Sequence, residues 1–132
     1  MSHTITNPAE LHDPVGFGYS HVVDAPSPDL VFIAGQYGSD PSGSVASADF
    51  ADQVERSFAN LGTALAAAGL GFQDVVRLGT YIVDHDHAKL DALLTVIARI
   101  WGDKPPAQTL IGVAALALPD MRFEVDAVAA RP

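Results

Sequence analysis

Residues 121–129 alternate between two kinds of side chain, and this alternation constrains the fold more strongly than any other stretch of the sequence. A period of two is typical of a β-strand that presents different side chains to its two faces. One face is apolar and consists of Met121, Phe123, Val125, Ala127 and Ala129. The other face begins charged and ends apolar, and consists of Arg122, Glu124, Asp126 and Val128. We therefore predict a strand whose second face runs from a wet edge into a protected cleft.

Glu124 and Asp126 on that second face are candidates for chemistry. A carboxylate removed from water is harder to ionise, so its pKa rises unless a cation pairs with it. A raised pKa suits a carboxyl group to general acid or base catalysis. Two plainer interpretations remain open, namely a face turned to solvent and a charge cluster that Arg122 forms with both carboxylates.

The composition favours one small domain that associates with copies of itself. The chain has 132 residues, enough for a single domain that spans residues 1–132. Hydrophobic residues make up 48% and charged residues 17% of it, whereas typical domains carry about 25% charged residues. A small domain with so little charge leaves apolar surface that usually meets a partner. We expect a homo-oligomer, and the alternative is a monomer with an alanine-rich surface.

The charge and the cysteine content exclude several classes of protein. The net charge is −9, which disfavours nucleic acid and anionic membrane surfaces as partners. The absence of cysteine excludes disulfides, thiolate metal sites and a cysteine nucleophile. The first residues contain no apolar run of the kind that a secretory signal needs. We therefore expect a cytoplasmic protein that does not act on membranes.

Apolar residues at spacings of three and four predict two amphipathic helices. The stripe of the first consists of Phe50, Val54, Phe58, Leu61, Leu65 and Ala68, and that of the second consists of Leu90, Leu93, Leu94, Ile97, Ile100 and Trp101. Ser47 is placed to cap the start of the first helix and Gly69 to end it. Asp84 or Asp86 can cap the second helix, which Gly102 ends.

Five strands complete the predicted order β-β-α-β-α-β-β. They comprise residues 22–23, 30–34, 75–83, 108–115 and 121–129, with a turn at residues 25–29 between the first two. On the third strand we place Val75 on the same face as Tyr81. This order suits an α+β domain with a mixed sheet and both helices packed on one face. The other sheet face is then bare in a single chain and must pack against another subunit.

Three common kinds of site find little support. His85 and His87 could supply two metal ligands, but the sequence offers no obvious third ligand, and the same loop can equally begin a helix. The pair Gly16 and Gly18 precedes neither a helix nor a lysine, so it is no nucleotide-binding loop. No Gly-x-Ser-x-Gly element is present.

Several segments resemble the Rid family, also called YjgF/YER057c/UK114. They are residues 18–23 (Gly-Tyr-Ser-His-Val-Val), 31–36 (Val-Phe-Ile-Ala-Gly-Gln), 49–70 around the first helix, 106–107 (Pro-Ala) and 123–129 (Phe-Glu-Val-Asp-Ala-Val-Ala). The pieces follow one another in the family's order over nearly the whole chain. The resemblance implies a chorismate-mutase-like fold and a homotrimer with a barrel-like core and a cleft between each pair of subunits. It also implies hydrolysis of reactive enamines and imines to ketones and ammonia, with no cofactor and no metal.

The resemblance matches seven residues to family positions. Tyr19 matches a tyrosine of the family's cleft, and Glu124 matches the glutamate thought to position the attacking water, so both are candidate catalytic residues. Gly35 matches a backbone position that lines the cleft. Ala34 and Leu110 occupy positions where the family usually has Ser and frequently Cys, and Gln108 occupies that of the Arg that grips the substrate carboxylate. In the second helix, Leu94 stands where the family often has Asn.

The change at residue 108 bears on the substrate. Hydrogen bonds to charged groups contribute roughly 1.5–3 kcal/mol and neutral ones about 0.5–1.5 kcal/mol, and about 1.4 kcal/mol corresponds to a factor of ten in binding. We therefore expect an imine of an amino acid to bind on the order of tenfold more weakly, and Gln108 to contact a neutral polar group. A trimer that binds a small ligand without turnover is the alternative function, and an endoribonuclease is a further one that the acidic charge disfavours.

Overall fold

The computed structural model describes residues 3–26 and 29–132. The predicted turn at residues 25–29 includes Ser27 and Pro28, which lie outside the described residues. Short 3-10 turns occur at Val15–Phe17 and Phe72–Asp74. The strands and helices are β1 (Thr4–Thr6), β2 (Val22–Asp24), β3 (Leu30–Gln36), α1 (Phe50–Ala67), β4 (Val75–Val83), α2 (His87–Trp101), β5 (Ala107–Val113) and β6 (Phe123–Ala130).

The main sheet has four strands in the spatial order β3-β6-β4-β5. β6 pairs antiparallel with both β3 and β4, whereas β4 and β5 are parallel and α2 crosses between them. Both helices pack on one face of this sheet, so the predicted α+β architecture with a mixed sheet is confirmed. Among the described residues no helix is long and apolar enough to span a membrane.

The core lies between this sheet face and the two helices. The alternation predicted for residues 121–129 is confirmed, since Phe123, Val125 and Ala129 are fully buried there and Ala127 almost so. The Phe58 and Phe123 rings stack with centroids 6.0 Å apart, which fixes α1 against β6. The other core residues are Val54, Leu61, Leu65, Leu70, Val75, Leu78, Ile82, Leu93, Val96 and Ile97.

A buried glutamine fixes the point at which β6 begins. Gln53 on α1 accepts a hydrogen bond from the Arg122 backbone N–H at 2.8 Å and donates to the Asp120 carbonyl at 3.0 Å. A buried amide is costly to leave unpaired, so these contacts hold the entry to β6 in one position. The register of β6 determines which of its side chains face the helices and which face away.

Two predictions about the strands are wrong. The strand at residues 22–23 does not join the main sheet, because β2 pairs antiparallel with β1 in a separate two-stranded ribbon, and the short β1 was not predicted. Val75 does not share a face with Tyr81. The register of β4 against β6 shifts between Val75 and Arg77, and this bulge turns Val75 into the core.

The predicted helix ends agree with the structure except for one cap. Asp49, not Ser47, caps α1, because its carboxylate accepts the Asp52 backbone N–H at 3.0 Å. Asp86 caps α2 through the Lys89 N–H at 2.9 Å. Gly69 and Gly102 follow the two helices with positive φ angles, as predicted for glycines that end helices.

Candidate functional site

The sheet face that points away from the helices carries the second set of β6 side chains. Glu124, Asp126 and Val128 are half-buried on it. The register of the sheet sets Glu124 opposite Tyr81 on β4 and Val128 opposite Phe32 on β3. The Phe32 side chain is 75% exposed, so this face remains uncovered within a single chain. We refer to it as the open face.

Glu124 lies against the backbone of Gly35. The pairing of β3 with β6 is irregular between Ile33 and Gln36, which brings Gly35 next to this carboxyl group. A Cβ atom built on residue 35 would lie 2.6 Å from Glu124 Cδ and 2.7 Å from its Oε2. Burial raises the pKa of the Glu124 carboxyl, and the neighbouring charge of Asp126 raises it further. Within the described residues Arg122 forms no ion pair with either carboxylate.

Asp126 is held in place by two hydrogen bonds from β4. The Gly79 backbone N–H donates to its Oδ1 at 3.1 Å, and the Tyr81 hydroxyl donates to its Oδ2 at 3.0 Å. This hydrogen bond to a carboxylate raises the pKa of Tyr81, since it holds the phenolic proton. Asp126 therefore shares the open face with Glu124, and Tyr81 is a polar member of the group that the sequence analysis missed. Its position opposite Glu124 becomes evident only once the strand register is known.

Three other predicted site residues surround a separate cavity on the helix side of the sheet. Gln108 and Leu110 on β5 pair in register with Leu78 and Thr80, which point to the helices. The cavity has a volume of about 140 Å³ and is lined by Phe17, Tyr19, Leu90, Leu93, Leu94, Gln108 and Leu110. Apart from the Tyr19 hydroxyl and the Gln108 amide, the lining side chains are hydrocarbon. Such a space suits a small apolar group.

Gln108 connects the N-terminal segment to the sheet. Its Nε2 donates to the Gly18 carbonyl at 2.7 Å, and its Oε1 accepts from the Thr80 hydroxyl at 3.0 Å. Ser20 forms a parallel bridge with Ala107 beside it. These contacts fix the segment that carries Tyr19 along the edge strand β5. These contacts use one of the two amide hydrogens of Gln108.

Tyr19 is half-buried, and its hydroxyl forms a hydrogen bond with Nε2 of His12. Ala34, the remaining predicted position, is exposed on β3, and its carbonyl accepts from the Gln36 side chain at 3.1 Å. His85 and His87 were the two possible metal ligands of the loop before α2. Among the residues that the structure describes, no three His, Cys, Asp or Glu side chains converge on a possible metal position.

The predicted site residues thus form two groups rather than one. Glu124 and Gly35 touch on the open face, whereas Tyr19, Gln108 and Leu110 share the cavity on the helix side. The four-stranded sheet separates the two groups. A single chain does not bring the candidate base and the candidate tyrosine to one substrate.

Sequence comparisons find relatives over nearly the whole chain. The sequence profile of the family described as Endoribonuclease L-PSP matches residues 12–131. The RutC family protein PH0854 of Pyrococcus horikoshii is 33% identical over 118 residues, which cover 88% of each chain. The 2-iminobutanoate/2-iminopropanoate deaminase of Salmonella typhimurium is 30% identical and covers 99% of both chains.

Solved structures show the same fold. The conserved Rid family protein YyfB from Yersinia pestis superposes with a TM-score of 0.94 at 38% identity, covering 99% of this chain and 100% of that one. Rv2704 from Mycobacterium tuberculosis, a member of the YjgF/YER057c/UK114 family, has a TM-score of 0.66 at 28% identity. It covers 98% of this chain and 100% of the other.

Proposed function

This chain belongs to the endoribonuclease L-PSP family, which includes the Rid proteins, and we propose that it hydrolyses a small reactive enamine or imine to a carbonyl compound and ammonia. Relatives named 2-iminobutanoate/2-iminopropanoate deaminase support this class of reaction. The observation that carries the proposal is the half-buried carboxyl group of Glu124. Burial raises its pKa, and within the described residues it forms no ion pair with a cation. A carboxyl of this kind is suited to take a proton from water.

We propose that two copies of the chain complete each active cleft. The cavity group of one subunit, Tyr19 with Gln108 and Leu110, would face Glu124 and Gly35 on the open face of the next. A closed trimer with such head-to-tail interfaces contains three equivalent clefts. Phe32 on one edge strand and Ile111, 46% exposed on the other, support an interface across the open face, because exposed large apolar side chains favour association.

The proposed hydrolysis needs only water and the side chains of the protein. Glu124 takes a proton from a water molecule while the water oxygen bonds to the carbon of the C=N group. The π electrons of that bond move to nitrogen, which takes a proton from the Tyr19 hydroxyl. The resulting carbinolamine takes the proton of Glu124 on its nitrogen and gives its hydroxyl proton to a solvent water, from which Tyr19 in turn regains its own proton. The C–N bond then breaks, which releases ammonia and leaves the carbonyl product.

The cavity group favours a neutral, apolar substrate. Its volume of about 140 Å³ and its leucine-rich lining suit a side chain of a few carbon atoms. Gln108 offers one amide hydrogen to a ligand, because its other polar positions contact Gly18 and Thr80. No lysine or arginine lines this cavity among the described residues. A substrate carboxylate would therefore find no cationic partner in the cavity, and a neutral group would bind there more favourably.

One observation favours the second candidate, a trimer that binds a small ligand without turnover. Gln108 serves as a link within the chain, so the position that should hold the substrate already has a structural role. Calorimetry that detects a ligand which the protein does not consume would favour this function. An endoribonuclease is the weaker alternative, since the net charge of −9 opposes the approach of phosphates. Salt-sensitive cleavage of RNA by the purified protein would support it.

The deciding experiment measures ammonia release from imines generated in situ, α-imino acids by an amino-acid oxidase and neutral imines by a flavin amine oxidase. One set carries the substrate carboxylate and a second set is neutral. Wild type is compared with Glu124→Gln and with Glu55→Gln, a control that removes an exposed carboxylate paired with Arg99 on the helix side. We expect Glu124→Gln alone to lose the acceleration, by on the order of 100-fold or more. Equal rates for wild type and Glu124→Gln would remove Glu124 from the mechanism.

A further inference from the structure

Two histidine rings contact Tyr19, and neither histidine has a role in the mechanism above. Nε2 of His12 contacts the Tyr19 hydroxyl, and the His12 and His21 rings meet edge to face with centroids 4.8 Å apart. The Tyr19 and His21 rings are 5.4 Å apart in the same arrangement. The three rings form a compact group, the His12–Tyr19–His21 cluster, beside the mouth of the cavity that Tyr19 lines.

The hydrogen bonds of His21 show how the cluster is held. The His21 ring donates from Nε2 to the His12 carbonyl at 2.8 Å, so this nitrogen carries a proton. The His21 backbone N–H donates to Asn7 Oδ1 at 2.8 Å, which ties the start of β2 to the end of β1. Phe17 packs edge to face against His12 with centroids 5.8 Å apart. His12 is thus fixed on three sides while the residue as a whole stays exposed to solvent.

A fixed, solvent-accessible imidazole next to a half-buried phenol is suited to pass protons. A neutral His12 accepts the Tyr19 O–H through Nε2, and a protonated His12 donates to the phenol oxygen instead. A histidine can exchange its proton near neutral pH, whereas a phenol on its own is a poor acid there. Tyr19 reaches the cavity, and His12 reaches both Tyr19 and water. The geometry therefore connects the cavity to solvent through two groups.

We propose that His12 is the proton partner of Tyr19, and this inference rests on the proposed hydrolysis. When Tyr19 gives its hydroxyl proton to the substrate nitrogen, the protonated His12 gives its Nε2 proton to the phenolate oxygen. The neutral imidazole then takes a proton from solvent, so one proton has moved from water to nitrogen and both side chains are restored. His12 acts through Tyr19 and is a positioning residue rather than a catalytic one.

Other titratable groups near His12 bear on the test. His21 faces it across the ring contact, Tyr19 faces it through the hydrogen bond, and Asp13 follows it in the chain with its carboxylate accepting the Val15 N–H at 3.1 Å. A change in the titration of His12 must therefore be assigned by replacing Tyr19 specifically. Tyr37 offers a matched control, since its hydroxyl donates to the Gly43 carbonyl in another loop.

The first arm of the test uses no substrate. Two-dimensional NMR of the histidine ring nitrogens follows the titration of His12 in wild type, Tyr19→Phe and Tyr37→Phe. We expect Tyr19→Phe alone to move the titration midpoint of His12 and the shift of its Nε2. A His12 titration that is the same in all three proteins would overturn the proposal, whatever the enzyme activity proves to be.

The second arm measures imine hydrolysis against pH for His12→Gln, Tyr19→Phe and the double variant, with His85→Gln as an exposed control. Glutamine can still hydrogen-bond to Tyr19 but cannot titrate, so we expect kcat to fall roughly tenfold or more and one limb of the pH profile to disappear. The double variant should be no slower than Tyr19→Phe, because residues that act as a unit are not additive. Additive losses, or an unchanged pH profile in His12→Gln, would overturn the proposal. If the wild type hydrolyses no imine but the titration of His12 still depends on Tyr19, the proposed hydrolysis is refuted while the proton exchange between His12 and Tyr19 is retained.

Discussion

The carboxyl group of Glu124 occupies the space that a side chain on Gly35 would need. A Cβ atom at residue 35 would come within 2.6 Å of Glu124 Cδ and 3.0 Å of its Cγ. Gly35 does not have a positive φ angle, so the requirement for glycine here is room rather than backbone conformation. Gly35, which the family resemblance places in the backbone of the cleft, therefore lies directly against Glu124, the candidate base.

Replacing Gly35 with alanine should displace this carboxyl without unfolding the protein. The atoms that must move are the end of a flexible side chain, so the cost in stability is small. A catalytic group displaced by about 1 Å can lose on the order of 100-fold in rate, and we expect Gly35→Ala to approach the loss seen in Glu124→Gln. Thermal unfolding and ammonia release on the same samples check this. Gly112→Ala on β5, where the new Cβ meets its nearest atom at 3.5 Å, is the control. Full activity in Gly35→Ala would show that the carboxyl position is unimportant.

The stability of the protein should depend on the protonation of Glu124. Burial raises the pKa of this carboxyl in the folded state, so the folded chain holds the proton more tightly than the unfolded chain. The stability that Glu124 contributes is present at acid pH and is lost as the pH rises through its folded pKa. Glu124→Gln, which resembles the protonated form, should therefore be more stable than wild type at neutral pH. Denaturant unfolding at several pH values measures the difference. If the two proteins differ in stability by the same amount at acid pH, protonation of Glu124 is not the cause of the difference.

Asp126 should set the pH at which the enzyme loses activity in acid. Its charge is the second cause of the raised pKa of Glu124, after burial. Asp126→Asn removes that charge, so Glu124 ionises more readily and the acid limb of the pH–rate profile should move to lower pH. The same change replaces the charged acceptor of the Tyr81 hydroxyl with a neutral amide, so the pKa of Tyr81 should fall, which ultraviolet titration of the phenol detects independently. Asp91→Asn on the exposed side of α2 is the matched control. An unmoved acid limb would separate Asp126 from the chemistry.

Introducing arginine at residue 108 should change the preferred substrate. A guanidinium can pair with a substrate carboxylate through two hydrogen bonds. We expect Gln108→Arg to raise kcat/KM for carboxylated imines by roughly tenfold, with no gain for neutral ones. The Thr80 hydroxyl loses its acceptor at Gln108, so thermal stability should fall by about 1 kcal/mol. Gln108→Lys separates charge from geometry as a control. If carboxylated imines gain nothing, residue 108 does not hold the substrate.

The elements and the core face of this fold follow from local patterns. The alternation over residues 121–129 identified the buried side of β6, because a strand that is buried on one face must alternate. The apolar stripes identified both helices for the same physical reason. Val75 was assigned to the wrong face because a bulge depends on pairing with β6, which local sequence does not record. β1 was missed because a strand of three residues is defined by its partner alone.

The candidate site was less accessible to sequence reasoning than the fold. Glu124 was recognisable as a charged residue in an apolar strand. Tyr81 was not recognised, since its contact with Asp126 spans 45 positions and depends on the register of two strands. The role of Gln108 as a link to Gly18 was equally hidden, because it joins residues 90 positions apart. Contacts of this kind arise from tertiary structure, and single residue identities do not predict them.

The proposed cleft between subunits is tested most directly by mixing two inactive variants. Tyr19→Phe and Glu124→Gln each disable one half of the cleft, and each variant chain still supplies the half that the other lacks. The two chains are unfolded, mixed in equal amounts and refolded together, with each variant refolded alone as the control.

If neighbouring copies in a trimer form the cleft, about a quarter of the sites receive both native residues, and the mixture should recover up to about that fraction of the wild-type rate of ammonia release. A mixture that is no more active than the average of the two variants would contradict a shared cleft and place the chemistry within a single chain.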